Sequence, residues 1–279
     1  MQFLLLTILS SLITSVILKV NETRGGNRMV VAGANYVTAA ILALVMSESG
    51  KLDIGGRWIT LGVVAGIGFV AGFILVMRAM STIGLAVPTS AARLSMLIPV
   101  TGSILLFNER PSGLRIAGII VGIAAFIMLG LAQRKRNDGE GNRRGGFGGV
   151  AAIFAIVGST DLSMKVAQSN GVDKDATAFY IFLTAALLCW IVVAVRRMPV
   201  KRNAVILGLL LGIPNYFSVY YLLLALKRLD GSVVFPVVSA GGVIAVTATA
   251  AIFWKEYPNR AALIGLALAT VAVTLLGFQ

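Results

Sequence analysis

The sequence predicts an all-α integral membrane protein, with ten transmembrane helices arranged as two inverted five-helix repeats. Three observations carry that expectation. Hydrophobic residues make up 58% of the 279-residue chain and charged residues only 13%, against roughly half and about a quarter in an ordinary soluble domain. Ten apolar stretches follow one another, each near the roughly 20 residues a helix needs to cross a bilayer core of about 30 Å. The landmarks of residues 84–130 then recur 147 positions later, which marks two halves of one design.

The apolar stretches are 3–20, 29–47, 58–80, 85–107, 114–131, 148–166, 176–195, 204–226, 232–254 and 261–278. None sustains an alternation of apolar and polar residues, which favours helices over the strands of a barrel. The first is followed by nine more and shows no small-residue cleavage site, so it reads as a retained span and not as a signal peptide. Residues 134–147 are polar, Gly-rich and basic, and form the linker between a first repeat (1–133) and a second (148–279). Five is odd, so the second half must cross the membrane in the opposite sense to the first. That inverted arrangement is typical of secondary transporters.

In the repeat, Gly84 answers to Gly231, Val87 to Val234, Gly118 to Gly265 and Leu129-Gly130 to Leu276-Gly277. Phe107-Asn108-Glu109-Arg110-Pro111 answers to Trp254-Lys255-Glu256-Tyr257-Pro258. The opening helices also correspond, at slightly different spacings. Thr14-Ser15-Val16-Ile17-Leu18-Lys19-Val20 aligns with Thr160-Asp161-Leu162-Ser163-Met164-Lys165-Val166, and Asn35-Tyr36 with Phe179-Tyr180.

A net charge of +13 does not point to nucleic acid here, because the basic residues sit between apolar runs and not on one face. Retention of basic loops in the cytoplasm and attraction to anionic headgroups account for it. Loops after odd-numbered spans hold thirteen Lys and Arg and those after even-numbered spans seven, counting Arg115 at the start of the fifth span, which places both termini outside. The lone Cys189 excludes a disulfide framework, and the absence of His excludes a His metal site and most nucleophile–base pairs. The expectation is therefore no enzyme, no metal and no cofactor.

Two five-helix halves, the Glu-x-Pro junctions and the Gly-bearing fifth and tenth spans resemble the drug/metabolite transporter superfamily, and its EamA-like branch in particular. Ala79-Met80-Ser81-Thr82-Ile83-Gly84 with Pro99, and Ala225-Leu226-Lys227 with Phe235-Pro236, add to the resemblance. The resemblance implies the ten-helix fold and solute transport, leaves the substrate open, and implies cytoplasmic termini, against the charge count. Small four-helix relatives carry a membrane-embedded Glu in their first helix, which couples protons to cationic drugs. Here that helix holds Ser15 and Lys19 but no acid.

An ionisable side chain inside a span is costly and marks a pathway by default. Arg93, deep in its run and between Pro88 and Pro99, is a candidate substrate ligand on a broken helix. Lys19 and Lys165 are candidates too, though each is near enough to a span end for its stem to reach the headgroups. Arg78 reads as an interfacial anchor. Asp161 precedes Lys165 at i,i+4 on one helix face. The pair is either a structural ion pair or a site where Asp161 takes up a proton as Lys165 engages an anion. Asn35, Tyr36, Asn215, Tyr216 and Tyr220 are mid-span polar groups that can orient the uncharged part of a substrate, or else pack helices together. Pro99 and Pro236 are the expected gating pivots, where lost hydrogen bonds permit bending.

These residues predict a secondary transporter that moves a small anionic or zwitterionic metabolite by alternating access. No phosphate-cradling loop points to ATP. Alternatives are a proton-coupled exporter of drugs or amino acids, and a flippase for an anionic lipid. The expected setting is the cell (inner or plasma) membrane, as a multi-pass monomer or homodimer with no nucleic-acid partner.

Overall fold

A computed structural model describes residues 2–23, 25–47, 56–83, 88, 91–92, 94–106, 112–137, 146–171, 173–229, 231–255 and 260–277. They form α1 (Gln2–Thr23), α2 (Arg28–Val45), α3 (Gly56–Ile83), α4 (Leu97–Leu106), α5 (Gly113–Asn137), α6 (Gly146–Ser169), α7 (Lys174–Val195), α8 (Arg202–Arg228), α9 (Gly231–Trp254) and α10 (Arg260–Gly277). No strand occurs among the described residues. By length and composition α1, α2, α3, α6, α7, α8 and α9 can each cross a membrane. Gly84, Val87, Glu109, Pro111, Glu256 and Pro258, which carry part of the repeat, lie outside the described residues.

Lipid is the solvent these helices suit. Leu5, Val45, Leu105, Ile252 and Phe253 are each more than two-thirds exposed, a surface that water would penalise and acyl chains do not. Three hydroxyl side chains within α1 are satisfied locally, as a bilayer favours. The Thr7, Thr14 and Ser15 hydroxyls donate to the carbonyls of Phe3, Ser10 and Ser11, four residues back, at 2.8, 3.0 and 2.9 Å. Where the chain turns back into the membrane, side-chain caps replace missing backbone partners. Asn27 accepts from the amides of Met29 and Val30 at the start of α2, and Asp173 from the Ala176 amide at the start of α7.

The chain divides into two compact units, and each draws on both sequence halves. Unit 1 is Met1–Met77 with Thr160–Arg228, and unit 2 is Arg78–Ser159 with Leu229–Gln279. In unit 1, α2 packs against both α7 and α8, and α1 lies on α8. Small residues set these close approaches, the usual device where lipid offers no hydrophobic drive between helices. Gly208 faces Val31 and Ala34, and Gly212 one turn on faces Asn35 and Thr38, so α8 runs parallel to α2. Gly33 lies under the Trp190 indole of α7, while Gly62 and Gly66 of α3 meet Tyr180, Ile181 and Thr184 of α7. In unit 2, α10 packs on α5 and α9, and its core joins Leu94, Ala125 and Leu266 with Phe154 and Leu268.

One detail differs from the sequence expectation, the helical start of the linker. The α5 helix continues to Asn137, so the start of the expected linker is helical. Gln133-Arg134-Lys135-Arg136 are good helix formers, and basic residues suit a helix C-terminus. The stretch 85–107 is not one helix. A turn at Ser95–Met96 precedes α4, with Pro99 in the first turn of α4. Proline has no amide to donate, and its ring clashes with the carbonyl four residues back, which here belongs to Ser95. The helix therefore breaks at that point.

Candidate functional site

Unit 1 holds a continuous spine of aromatic rings contributed by five helices. Phe73 of α3 meets Tyr36 of α2 edge-on at 6.0 Å, and Tyr36 stacks on Phe182 of α7 at 6.2 Å. Phe69 of α3 also meets Phe182 edge-on, at 5.9 Å. From Phe182 the spine passes to Tyr216 of α8 at 6.5 Å, and from Tyr216 to Tyr220 at 5.6 Å. Tyr220 leads to Tyr221, Tyr221 stacks on Phe3 of α1 at 6.3 Å, and the Arg228 guanidinium lies 5.0 Å over the Phe3 ring. Offset and edge-to-face pairs at such spacings are the arrangements ring quadrupoles favour.

Helix periodicity explains why the rings meet. Gly208, Gly212, Tyr216 and Tyr220 recur every four residues, so the face of α8 that approaches α2 through two glycines next presents two tyrosines. Pro214 lies inside this 27-residue helix without ending it. Proline cannot donate to the carbonyl four residues back, that of Leu210.

Hydrogen-bonding atoms are buried along the spine without partners. Tyr36 is satisfied, its hydroxyl donating to the Phe69 carbonyl at 3.3 Å. The Tyr216 hydroxyl and the Asn35 Oδ1 have no partner, on residues 0% and 1% exposed. A buried, unmatched polar atom costs about 1–3 kcal/mol, which such a position sustains only with a compensating role. Asn215 is half-buried beside them on α8.

The ionisable candidates are more dispersed. Lys19 is buried, at 7% exposure. Phe3 places the start of α1 beside the end of α8, and Lys19 is sixteen residues further, or about 24 Å along the axis at 1.5 Å per residue. It therefore lies toward the other end of the unit from Tyr216 and Tyr220. Asp161 and Lys165 are half-buried on α6, and Thr160 beside them meets Gly68 of α3. Arg78 is exposed. Arg93 lies outside the described residues. Pro99 is buried beside the break in α4, whereas α9 is continuous through Pro236, so the break expected there is not seen.

Two groups escaped the sequence reading. Phe69, Phe73 and Phe182 complete the spine, but a Phe in an apolar run carries no signal of its own. Asp175 lies in the first turn of α7 and is only 3% exposed. An apolar run counted from Ala176 left it outside, and the signal that could have found it is Asp173, a capping residue two positions earlier.

Helices apolar on their lipid-facing sides, with polar atoms and tyrosines buried between them, define a multi-pass membrane protein with a polar interior. Residues 145–278 match the EamA-like transporter family. That match covers just under half of the chain, and it is to a family of membrane transporters within the drug/metabolite transporter superfamily. An uncharacterised protein of Haemophilus influenzae is 26% identical over 287 residues, covering 98% of this chain and 96% of that one. A solved crystal structure superposes with a TM-score of 0.69 at 16% identity, over 99% of this chain and 96% of the other, which shows a shared fold.

Proposed function

We propose that the protein is a secondary transporter moving a small anionic or zwitterionic metabolite by alternating access, on ten spans built as two inverted five-helix repeats in the cell membrane. The observation that carries this reading is the pair of unpartnered buried atoms, the Tyr216 hydroxyl and Asn35 Oδ1, beside the ring spine. Such atoms suit a solute that arrives, is matched and leaves. Tyr36, Tyr220 and Asn215 orient the uncharged part of that solute. The 147-residue repeat supports the inverted architecture. The break beside Pro99 supports a gating pivot there, and Pro236 is the pivot proposed for the other half.

For the charge of the solute, the support is Lys19, a cation buried at membrane depth, with Lys165 and Arg93 as further ligands and Asp161 as the group that couples a proton. An ionisable side chain inside a span marks a solute pathway by default. Uptake of labelled soluble anions and zwitterions into liposomes, run beside a fluorescent-lipid scrambling assay, tests the proposal. Saturable uptake of a soluble solute is expected. Lipid scrambling without solute uptake would replace this reading with that of a flippase.

A further inference from the structure

We infer that the turn joining α7 to α8 binds the phosphate headgroups of anionic lipid, with Arg197 as its central ligand. The inference concerns one surface of unit 1 and is independent of which solute the protein carries.

Helix directions gather cations at one end of that unit. Gly208 and Gly212 of α8 face Val31 and Asn35 in the same order, so α2 and α8 run parallel. α7 runs against α2, because Gly33 meets Trp190 while Tyr36 meets Phe182. The start of α2, the end of α7 and the start of α8 therefore share one level. Arg28, Arg196, Arg197, Lys201 and Arg202 come together there. In residues 19–28 and 196–202 the sequence has one acid, Glu22. At the opposite end Lys174, Lys227 and Arg228 are accompanied by Asp173 and Asp175.

The turn lies at the depth of the headgroups. The span of α7 ends at Val195 and that of α8 begins at Arg202. Between them Arg196, Arg197, Pro199, Val200 and Lys201 are exposed. Val195 is 77% and Val200 52% exposed, on either side of the two arginines. Apolar side chains interleaved with cations suit the boundary where acyl chains give way to phosphates.

Backbone strain singles out Arg197. Its φ is +47°, in the left-handed region that is costly for a side chain with a Cβ. The conformation closes α7, with the Met198 amide donating to the Val193 carbonyl at 3.0 Å and the Arg197 amide to the Ala194 carbonyl at 3.1 Å. Glycine is the usual occupant of such a position. The helix dipole does not require Arg197, since Arg196, at φ −86°, already places a cation at the C-terminus. Retention of a basic loop in the cytoplasm needs charge somewhere in the turn, and not at its strained residue. A guanidinium held there can grip a phosphate through two parallel hydrogen bonds, while Arg196, Lys201 and Arg202 add charge around it.

The test uses the full chain in neutral detergent, titrated with phosphatidylglycerol or phosphatidylcholine of identical acyl chains. Bound lipid is counted by native mass spectrometry, and stability is read from the unfolding midpoint. Phosphatidylglycerol is expected to bind roughly fivefold more tightly, a preference that salt should screen. Arg197→Gly relieves the strained backbone, so it should raise the midpoint without lipid while cutting the preference severalfold. Arg197→Gln, which keeps the Cβ and loses the charge, should cut the preference without that gain. Lys227→Gln, at the opposite end of the unit, should leave the preference intact. Equal binding of the two lipids, binding of neither, a preference unchanged in Arg197→Gln, or an equal loss in Lys227→Gln would each overturn the inference. Stabilisation by inorganic phosphate equal to that by phosphatidylglycerol would overturn it too, by assigning the turn to a free anion.

Discussion

Adding a single methyl group at Gly208 should loosen unit 1 by a predictable amount. A Cβ there would stand 2.5 Å from the Val31 carbonyl oxygen and 2.6 Å from the Ala34 Cβ, where ordinary contact begins at 3.4 Å. The helices must therefore part by roughly 3.4 − 2.5 = 0.9 Å. A gap of that size forfeits about a quarter to a half of each well of about 0.1–0.2 kcal/mol. Over some 40 atom pairs the loss is about 2 kcal/mol, within the usual range for an overpacked core. Alanine returns about 0.5–1 kcal/mol of helix propensity, which leaves a net loss of about 1.5 kcal/mol, or roughly tenfold in the unfolding equilibrium. Gly212→Ala meets the Asn35 carbonyl oxygen at 2.5 Å and should cost about as much. Both open the same interface, so the double variant should cost less than the sum. Reversible unfolding by SDS titration in detergent measures this, with Trp190, which packs on Gly33 of α2, as the sole remaining fluorophore. Gly148, whose added Cβ would meet nothing within 4 Å, is the control and should gain slightly as Ala. If Gly208→Ala and Gly212→Ala prove as stable as Gly148→Ala, the close α2–α8 approach is wrong.

Three further outcomes follow from particular atoms. Tyr216→Phe removes a buried hydroxyl without a partner, so it should raise stability by about 1 kcal/mol while slowing transport, as unfolding midpoints and initial uptake rates will show. Asn27→Ala deletes the cap on the Met29 and Val30 amides and should lower stability by about 1 kcal/mol, with transport kinetics intact in the folded fraction. Lys19→Gln and Arg93→Gln should each slow uptake of an anionic solute far more than they shift the unfolding midpoint. Normal uptake by both variants would refute the proposed charge of the solute.

Helix positions were legible because each apolar run is long and a bilayer demands internal backbone hydrogen bonding. Helix ends were less so. Arg134, Lys135 and Arg136 look like linker in composition, yet they are good helix formers and α5 continues through them. The break near Pro99 was readable from proline chemistry. The continuity of α9 through Pro236 was not, because a proline removes a hydrogen bond without dictating whether the helix bends. The division into units could not be read from the repeat, since it depends on which helices pack together, and α2 chooses α7 and α8 from the other half. Among site residues, Tyr36, Tyr216 and Asn35 stood out as polar atoms at depth, and they are buried in one unit. Asp175 stayed hidden because a helix begins before its apolar run does. The distance of Lys19 from the tyrosines is a matter of helix pairing, which no local pattern encodes.

The central claim is movement of a soluble solute through the protein by alternating access, and counterflow tests it most directly. Liposomes bearing the protein are loaded at high concentration with an unlabelled soluble anion or zwitterion found in the uptake assay, then diluted into a trace of the same solute in labelled form with no ATP present. A carrier that exposes its site to one side at a time gives a transient accumulation of label above equilibrium, lost in Tyr216→Phe. Label that only equilibrates, or enters no faster than into protein-free liposomes, would contradict the account.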